Sequence, residues 1–378
     1  MKIHFIRRPL EVSLESREVL GRTIAAFLDE ELKHLAKDSD SDWEVTLGEN
    51  LIFDRAGLEL LKTCLSSYKG NADQVIFSLR SSESCFRDYY SLQRQSSDDV
   101  VNLEAIAKKV SGKNILTETI EVILPELTTT VPMPSSLARE VITSLPLALL
   151  MNINCEHELL FANQIAYFPK LLREIRISPW AWVKSLFPRG GISFKQRIAI
   201  NTNRIHPSAQ VHPTAVIEGS FIGEGSRIGA HAVVRYSLLG KNVRLHDGAK
   251  VEHSVVGDGS WLMHDLVLYR SCTEKEVFLI HGPYQFSYFQ SYSAAFATIM
   301  MDYRPDAKPI RISTRSGKKA YEGRFLGSVL KPGSKTLGGC NLAPGRIVPE
   351  NVWLAGDKDS LHKLEKLDLP QQSPIFSS

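Results

Sequence analysis

The 378-residue chain is longer than one ordinary compact domain and suits two. Its 43% hydrophobic content supplies a core and excludes a wholly disordered chain, and 45 basic against 42 acidic residues (net +3) are too balanced for a dedicated nucleic-acid binder. No apolar run reaches the roughly 18–20 residues of a membrane span, residues 1–10 do not read as a secretory signal, and five scattered cysteines with no CxxC spacing fit reduced thiols in the cytoplasm.

Residues 1–200 read as a mixed α/β domain ending in a helical linker. Residues 2–7 make a first strand, 15–35 carry helical periodicity, and 43–47 and 74–79 are strand-like with a helix over 54–68 between them. Residues 147–168 read as largely helical, ended or kinked by Pro169. Pro179-Trp180 and residues 188–191 punctuate the passage onward. Gly21 is the single glycine before Gly48, and no Walker or dinucleotide fingerprint occurs in the chain.

From residue 205 the sequence repeats. Aliphatic residues recur at Ile205, Val211 and Ile217, then at Ile222, Ile228 and Val234, then from Leu239 and again from Val256, a cycle of 17 residues. Ser220, Ser237, Ser254 and Ser271 mark the same period. A unit of one short strand and a sharp corner buries one aliphatic side chain. Three units close a triangular coil, and stacked coils bury a continuous apolar column, with glycine at corners of positive φ. A helix would need spacings of three and four, and the competing reading is an antiparallel sandwich.

Residues 216–256 (VIEGSFIGEGSRIGAHAVVRYSLLGKNVRLHDGAKVEHSVV) resemble the hexapeptide-repeat, left-handed β-helix of sugar-nucleotide enzymes. Residues 297–348 resemble the last third of bifunctional sugar-1-phosphate nucleotidyltransferase/amino-sugar acetyltransferases, in which a TITxNxRxDGKPV strand leads through a charged hairpin to RxFGxxxGDxxKTGxNxxxxPGxxI. The implied architecture is a truncated nucleotidyltransferase-like α/β domain over residues 1–200, then a left-handed parallel β-helix over 201–358. An active-site loop insertion is expected at about 274–324, and residues 359–378 are a C-terminal tail.

The resemblance also implies chemistry. In the family an acyl group passes from acyl-coenzyme A to a hexosamine amine, with a histidine of an H-x-x-Y sequence as general base. His281 and Tyr284 match it, with His281 catalytic and Tyr284 in substrate binding; Asp302, Tyr303 and Arg304 correspond to the substrate-binding Asn-Tyr segment. Phe278 replaces the family lysine, Asp302 replaces asparagine, and the aromatics Tyr284, Phe286, Tyr288 and Phe289 either line the pantetheine slot or close it. His281 is thus a base or a packed structural histidine. His206, His212, His231, His246, His253 and His264 read as surface residues of the coils. Lys318, Lys319 and Arg324, with Arg304, Lys308, Arg311 and Arg315, form either a solvated hairpin or an anion lobe for the phosphates of coenzyme A or a sugar phosphate.

Residues 48–54 (GENLIFD) resemble the family's GDN-x-x-F-D segment, whose aspartate holds Mg²⁺, and residues 158–163 (ELLFAN) its W-D-L-L-x-A-N linker. Without the glycine-rich phosphate loop, Glu49 reads as a turn residue, and Mg²⁺ is expected only if nucleotidyl transfer survives. The function implied is acyl-CoA-dependent acylation of an amino-sugar phosphate or nucleotide-linked amino sugar in envelope polysaccharide metabolism, by a homotrimer with no nucleic-acid partner. The alternatives are a non-catalytic sugar-nucleotide-binding or regulatory relative and a residual sugar-1-phosphate nucleotidyltransferase.

Overall fold

The structure is a computed structural model that describes residues 3–10, 14, 17–33, 42–93, 100–110, 116–132, 140–177, 179–187, 193–306, 308–314 and 317–356. The tail expected over 359–378 lies outside them, as does Arg315. Two compact units divide the chain, one of residues 1–169 with 311–323, the other of 170–310 with 324–378. No helix among the described residues is long and apolar enough to cross a membrane.

The first unit is built on a five-stranded mixed sheet. Its strands are β1 (Ile3–Arg7), β2 (Trp43–Leu47), β3 (Gln74–Arg80), β4 (Val100–Lys109) and β5 (Thr117–Ile123), in the order β1-β2-β4-β3-β5. Trp43, Val45 and Leu47 are buried in alternation on β2, as are Val101, Leu103, Ala105 and Ala107 on β4, the period of a strand. Helix α1 (Ile24–Lys33) follows β1, and α2 (Arg55–Ser66) follows β2. Helix α2 buries Leu58, Leu61 and Leu65 at spacings of three and four, and Asp54 caps it by accepting from Gly57 N at 2.8 Å.

One expectation holds only in part: residues 156–168 are helical as expected, but the helix runs on through Pro169 to Ile177. Residues 147–168 are not one long helix: Leu150–Asn152 pairs antiparallel with Leu51–Phe53, and helix α3 (Glu156–Ile177) begins only at 156. A short apolar run carries no periodicity that separates a buried strand from a buried helix. Within the first turn of α3, the Glu158 carboxylate reaches back to accept from Cys155 N at 3.0 Å and from Asn154 N.

The second unit is a three-sided parallel β-helix. Ile222 pairs with Leu239 and Leu239 with Val256 on one side, Ile228 with Leu245 and Leu262 on the next, and Val234 with Val251 and Leu268 on the third. These inward side chains form one buried column. This is the stacking expected of the left-handed hexapeptide helix. Successive coils begin at 204, 221, 238, 255, 272, 288, 329 and 347, so the 17-residue step holds four times and then shortens to 16.

The serine period has a physical cause. Each corner hydroxyl accepts the N–H of the serine one coil on: Ser237 N to Ser220 Oγ, Ser254 N to Ser237 Oγ, and Ser271 N to Ser254 Oγ, all at 3.1 Å. Each donates in turn to the carbonyl two residues before it. The ladder continues through Ser287 to Ser328 across the insertion.

The insertion is shorter than expected. Coils continue through Tyr284–Gln285, Tyr288–Phe289, Ala294–Phe296 and Ile299–Met300, so the chain leaves the stack only after residue 300, not near 274. Tyr284, Phe289 and Ala295 occupy inward positions there, which hides the aliphatic repeat without ending it. Of the departing segment, Ile310–Thr314 and Gly317–Tyr321 form a hairpin whose residues from 311 belong to the first unit. At the other end of the stack, helix α5 (Phe194–Asn201), capped by Ser193 and Gln196, packs on the first coil, where Gly219 N donates to Ala199 O at 2.7 Å.

Candidate active site at a coil corner

His281 follows the strand Phe278–Ile280 and turns the chain toward Tyr284. Its φ of 51° places it at the left-handed corner, in register with Asp265 one coil earlier and Ala297 one coil later. A corner side chain points away from the column, so His281 is exposed and makes no hydrogen bond within the described residues. It lines a cavity of about 260 Å³ with Gly282, Pro283, Ala297, Thr298, Ile299 and Met300. His281 is the one titratable side chain in that lining. The Thr298 hydroxyl is turned inward onto Thr336 Oγ1 at 2.7 Å, leaving a largely apolar wall with a single imidazole.

Tyr284 is not in this cavity. It pairs with Leu268 at an inward position, is fully buried, and donates its hydroxyl to Ile280 O at 2.8 Å. Burial pushes its phenol well above the usual range. The expected substrate contact is therefore a core residue. Nor do the other aromatics plug the site: Phe289 lies in the column against Tyr284, while Phe286 sits at a different corner, stacked on Phe325 with centroids 5.4 Å apart.

Asp302, Tyr303 and Arg304 begin the excursion from the coils and do not line the cavity. The Asp302 carbonyl accepts from Leu326 N at 2.7 Å, and burial raises its carboxyl. Tyr303 bridges to Phe325, and the Arg304 guanidinium grips Asp306, whose carboxyl it pulls down to about 2.

The three basic residues expected to hold the acyl donor do not share one body. Lys318 and Lys319 belong to the first unit and Arg324 to the second. Lys319 donates its ammonium to Leu92 O at 2.9 Å, beside the buried hairpin residue Tyr321.

The residues of the GENLIFD segment do not converge on one point. Glu49 is exposed on its turn, Asp54 accepts from Gly57 N and from Leu149 N at 3.0 Å, and no group of three potential ligands converges among the described residues. The tight Leu20-Gly21 turn is held by Asn163, whose Oδ1 accepts from Leu20 N at 2.7 Å. Sequence reasoning missed this clamp, although the ELLFAN motif contains its asparagine.

Histidines on the coils lie apart, as dispersed corner residues. The exceptions are His246 and His264, edge to face at 4.8 Å, and His253, stacked on Tyr236 at 5.2 Å and held low by burial and the Arg270 charge.

No protein-family model matches this chain, and no curated protein does. Among solved structures, it is similar to a hexapeptide transferase family protein from Anaplasma phagocytophilum, at 15% identity and a TM-score of 0.20, over 43% of this chain and 79% of the other. It is also similar to the acetyltransferase domain of PglB from Neisseria gonorrhoeae FA1090 in complex with acetyl coenzyme A, at 19% identity and a TM-score of 0.14, over 40% of this chain. This chain spans 55% of that domain's length.

Proposed function

We propose that the second unit is an acyltransferase that uses an acyl-CoA thioester and an amine acceptor of the amino-sugar phosphate or nucleotide-linked amino-sugar class. The observation that carries it is an exposed imidazole with no partner among the described residues, facing an apolar cavity at a hexapeptide-coil corner. The H-x-x-Y resemblance supports the same reading.

In this reading His281 takes a proton from the acceptor ammonium or from the nitrogen as it attacks the thioester carbonyl. The C–N bond forms, the C–S bond breaks, and the thiolate leaves to be protonated as free coenzyme A. The apolar lining of Pro283, Ile299 and Met300 suits the acyl and pantetheine end and keeps bulk water from the thioester. At about 260 Å³ the cavity falls below the roughly 300–1,000 Å³ of a whole ligand pocket, so it takes one end of the ligands and leaves the rest outside. Groups from a neighbouring copy complete the acceptor side, consistent with a homotrimer.

The test is thiol release from acetyl-CoA in the presence of hexosamine phosphates. His281→Ala lowers the rate by about 10²- to 10⁴-fold, the range for a lost general base. Release unchanged by that substitution removes His281 from the mechanism and the proposal with it.

A further inference from the structure

We infer that the helix Pro179–Leu186 docks the protein onto the surface of an anionic lipid bilayer. The helix, α4 in chain order, packs on α5. Ser185 is buried there and accepts from Asn201 Nδ2 at 3.0 Å. The opposite side holds no covering element among the described residues. Trp180 is 71% exposed, Leu186 67% and Phe187 65%, with Val183 and Phe194 also exposed. Positions 180 and 183 share one helical face, displaced from that of Ser185, and Phe187 directly follows the last residue of the helix. Single exposed apolar residues are ordinary, but five large ones within 15 residues are a patch that expects an apolar environment.

Charge names the occupant. Residues 170–204 contain Lys170, Arg173, Arg176, Lys184, Arg189, Lys195, Arg197 and Arg204 against Glu174 alone, a net of +7. The whole chain carries +3, so the remainder carries 3 − 7 = −4. The positive charge of this protein is concentrated in the segment that exposes Trp, Phe, Leu and Val. Apolar side chains that enter the acyl boundary, ringed by Lys and Arg at phosphate level, are the signature of an interfacial helix.

Other occupants fit less well. A second copy in symmetric contact brings the same positive segment to the same patch, where like charges repel. Nucleic acid rewards the charge and the aromatic rings but gives Val183 and Leu186 nothing to bury in. The helix spans its eight residues in about 12 Å, too short to cross a bilayer, so it lies in the interface plane.

Co-sedimentation of the full chain with phosphatidylcholine/phosphatidylglycerol vesicles tests this, against pure phosphatidylcholine vesicles and duplex DNA. Binding to the mixed vesicles that weakens with salt, and is absent from the neutral ones, is expected. Lys184→Glu weakens it about 30-fold, and Trp180→Ser about tenfold or more. Lys184 is exposed on the helix, so its substitution keeps the test decisive if Trp180→Ser fails to fold. The proposal is overturned by no binding to mixed vesicles, by equal binding to neutral ones, or by binding indifferent to both substitutions. It is overturned equally by DNA retention, or by Trp180-dependent self-association, in the absence of vesicle binding.

Discussion

His281 and Tyr284 stand three residues apart and do opposite things. The left-handed corner at 281 throws its side chain out to solvent, whereas 284 falls in register with Leu268 and points into the column. Tyr284→Phe therefore leaves the acyl-transfer rate within a few-fold of the parent. It costs about 0.5–1.5 kcal/mol of stability, because one hydrogen bond is lost while the Ile280 carbonyl keeps Ala297 N as a donor at 3.0 Å. Thermal unfolding and thiol release measured on the same samples check both halves. The place of residue 281 in the coil was legible because the 17-residue count fixes Thr273 as inward, which it is, and eight further residues reach the corner. Tyr284 was misplaced because an aromatic in an H-x-x-Y spacing reads equally as a ligand contact or as core filling, and only the register decides. In the first unit, Glu158 is pushed up to about 7 by burial, which the hydrogen bonds from Asn154 and Cys155 only partly offset. Its folded value lies above its unfolded one, so its contribution is full below about 4.5 and is lost as pH rises through about 7. The loss amounts to about 3 kcal/mol, since a tenfold change in proton affinity corresponds to about 1.4 kcal/mol. Glu158→Gln keeps the capping oxygen and removes this decline, which urea unfolding of the first unit at a series of pH values measures. An undiminished pH dependence in Glu158→Gln contradicts the assignment.

At the scale of the coil, stability rests on two repeated devices, the aliphatic column and the serine ladder. Ser254 is a central rung: it accepts from Ser271 N at 3.1 Å and donates to Glu252 O at 2.8 Å. Ser254→Ala strands a buried N–H and costs about 1–3 kcal/mol, a lowering of the second unit's melting temperature by several degrees. The same change at exposed Ser208 costs less, since water replaces the hydroxyl that Gly225 N uses. Gly223 serves a third requirement, close approach: a Cβ there would lie 2.3 Å from Gly240 O in the next coil. The coils from 205 to 273 were legible because each of these devices repeats every 17 residues. The later coils were not, because the step drops to 16, the inward positions pass to Tyr284, Phe289 and Ala295, and the next strand on the first side comes only at Val329. In the first unit the strands β4 and β5 went unread. Alternation on β4 is carried partly by Ala105 and Ala107, too small to register as a hydrophobic period.

For the whole molecule, connectivity matters more than the order of domains in the sequence. The chain passes between its two units after residues 169, 310 and 323, so neither is a single continuous segment. Sequence reasoning gave the basic residues of 304–324 a common role as an anion lobe or a solvated hairpin, because their charge was visible and their partners were not. The structure instead makes the hairpin a packed part of the first unit. Tyr321 is buried, its ring stacks on Phe161 at 5.8 Å, and its hydroxyl donates to Asp88 O at 2.8 Å. The adjacent Lys319 donates to Leu92 O, and its charge favours the ionised form of Glu158. Residues more than 150 positions away in sequence thus complete the core around α3. Tyr321→Ala removes the stack and the hydrogen bond together, a loss of about 3–5 kcal/mol for a buried aromatic. That loss falls on the first unit, since every partner named lies there. Hydrogen exchange of the substituted protein reads the outcome by region: amides of β2, β3 and β4 lose protection, while those of the coils from 221 to 289 keep theirs. Loss of protection in the coils to the same degree would mean that the two units unfold as one, and that the hairpin does not belong to the first alone.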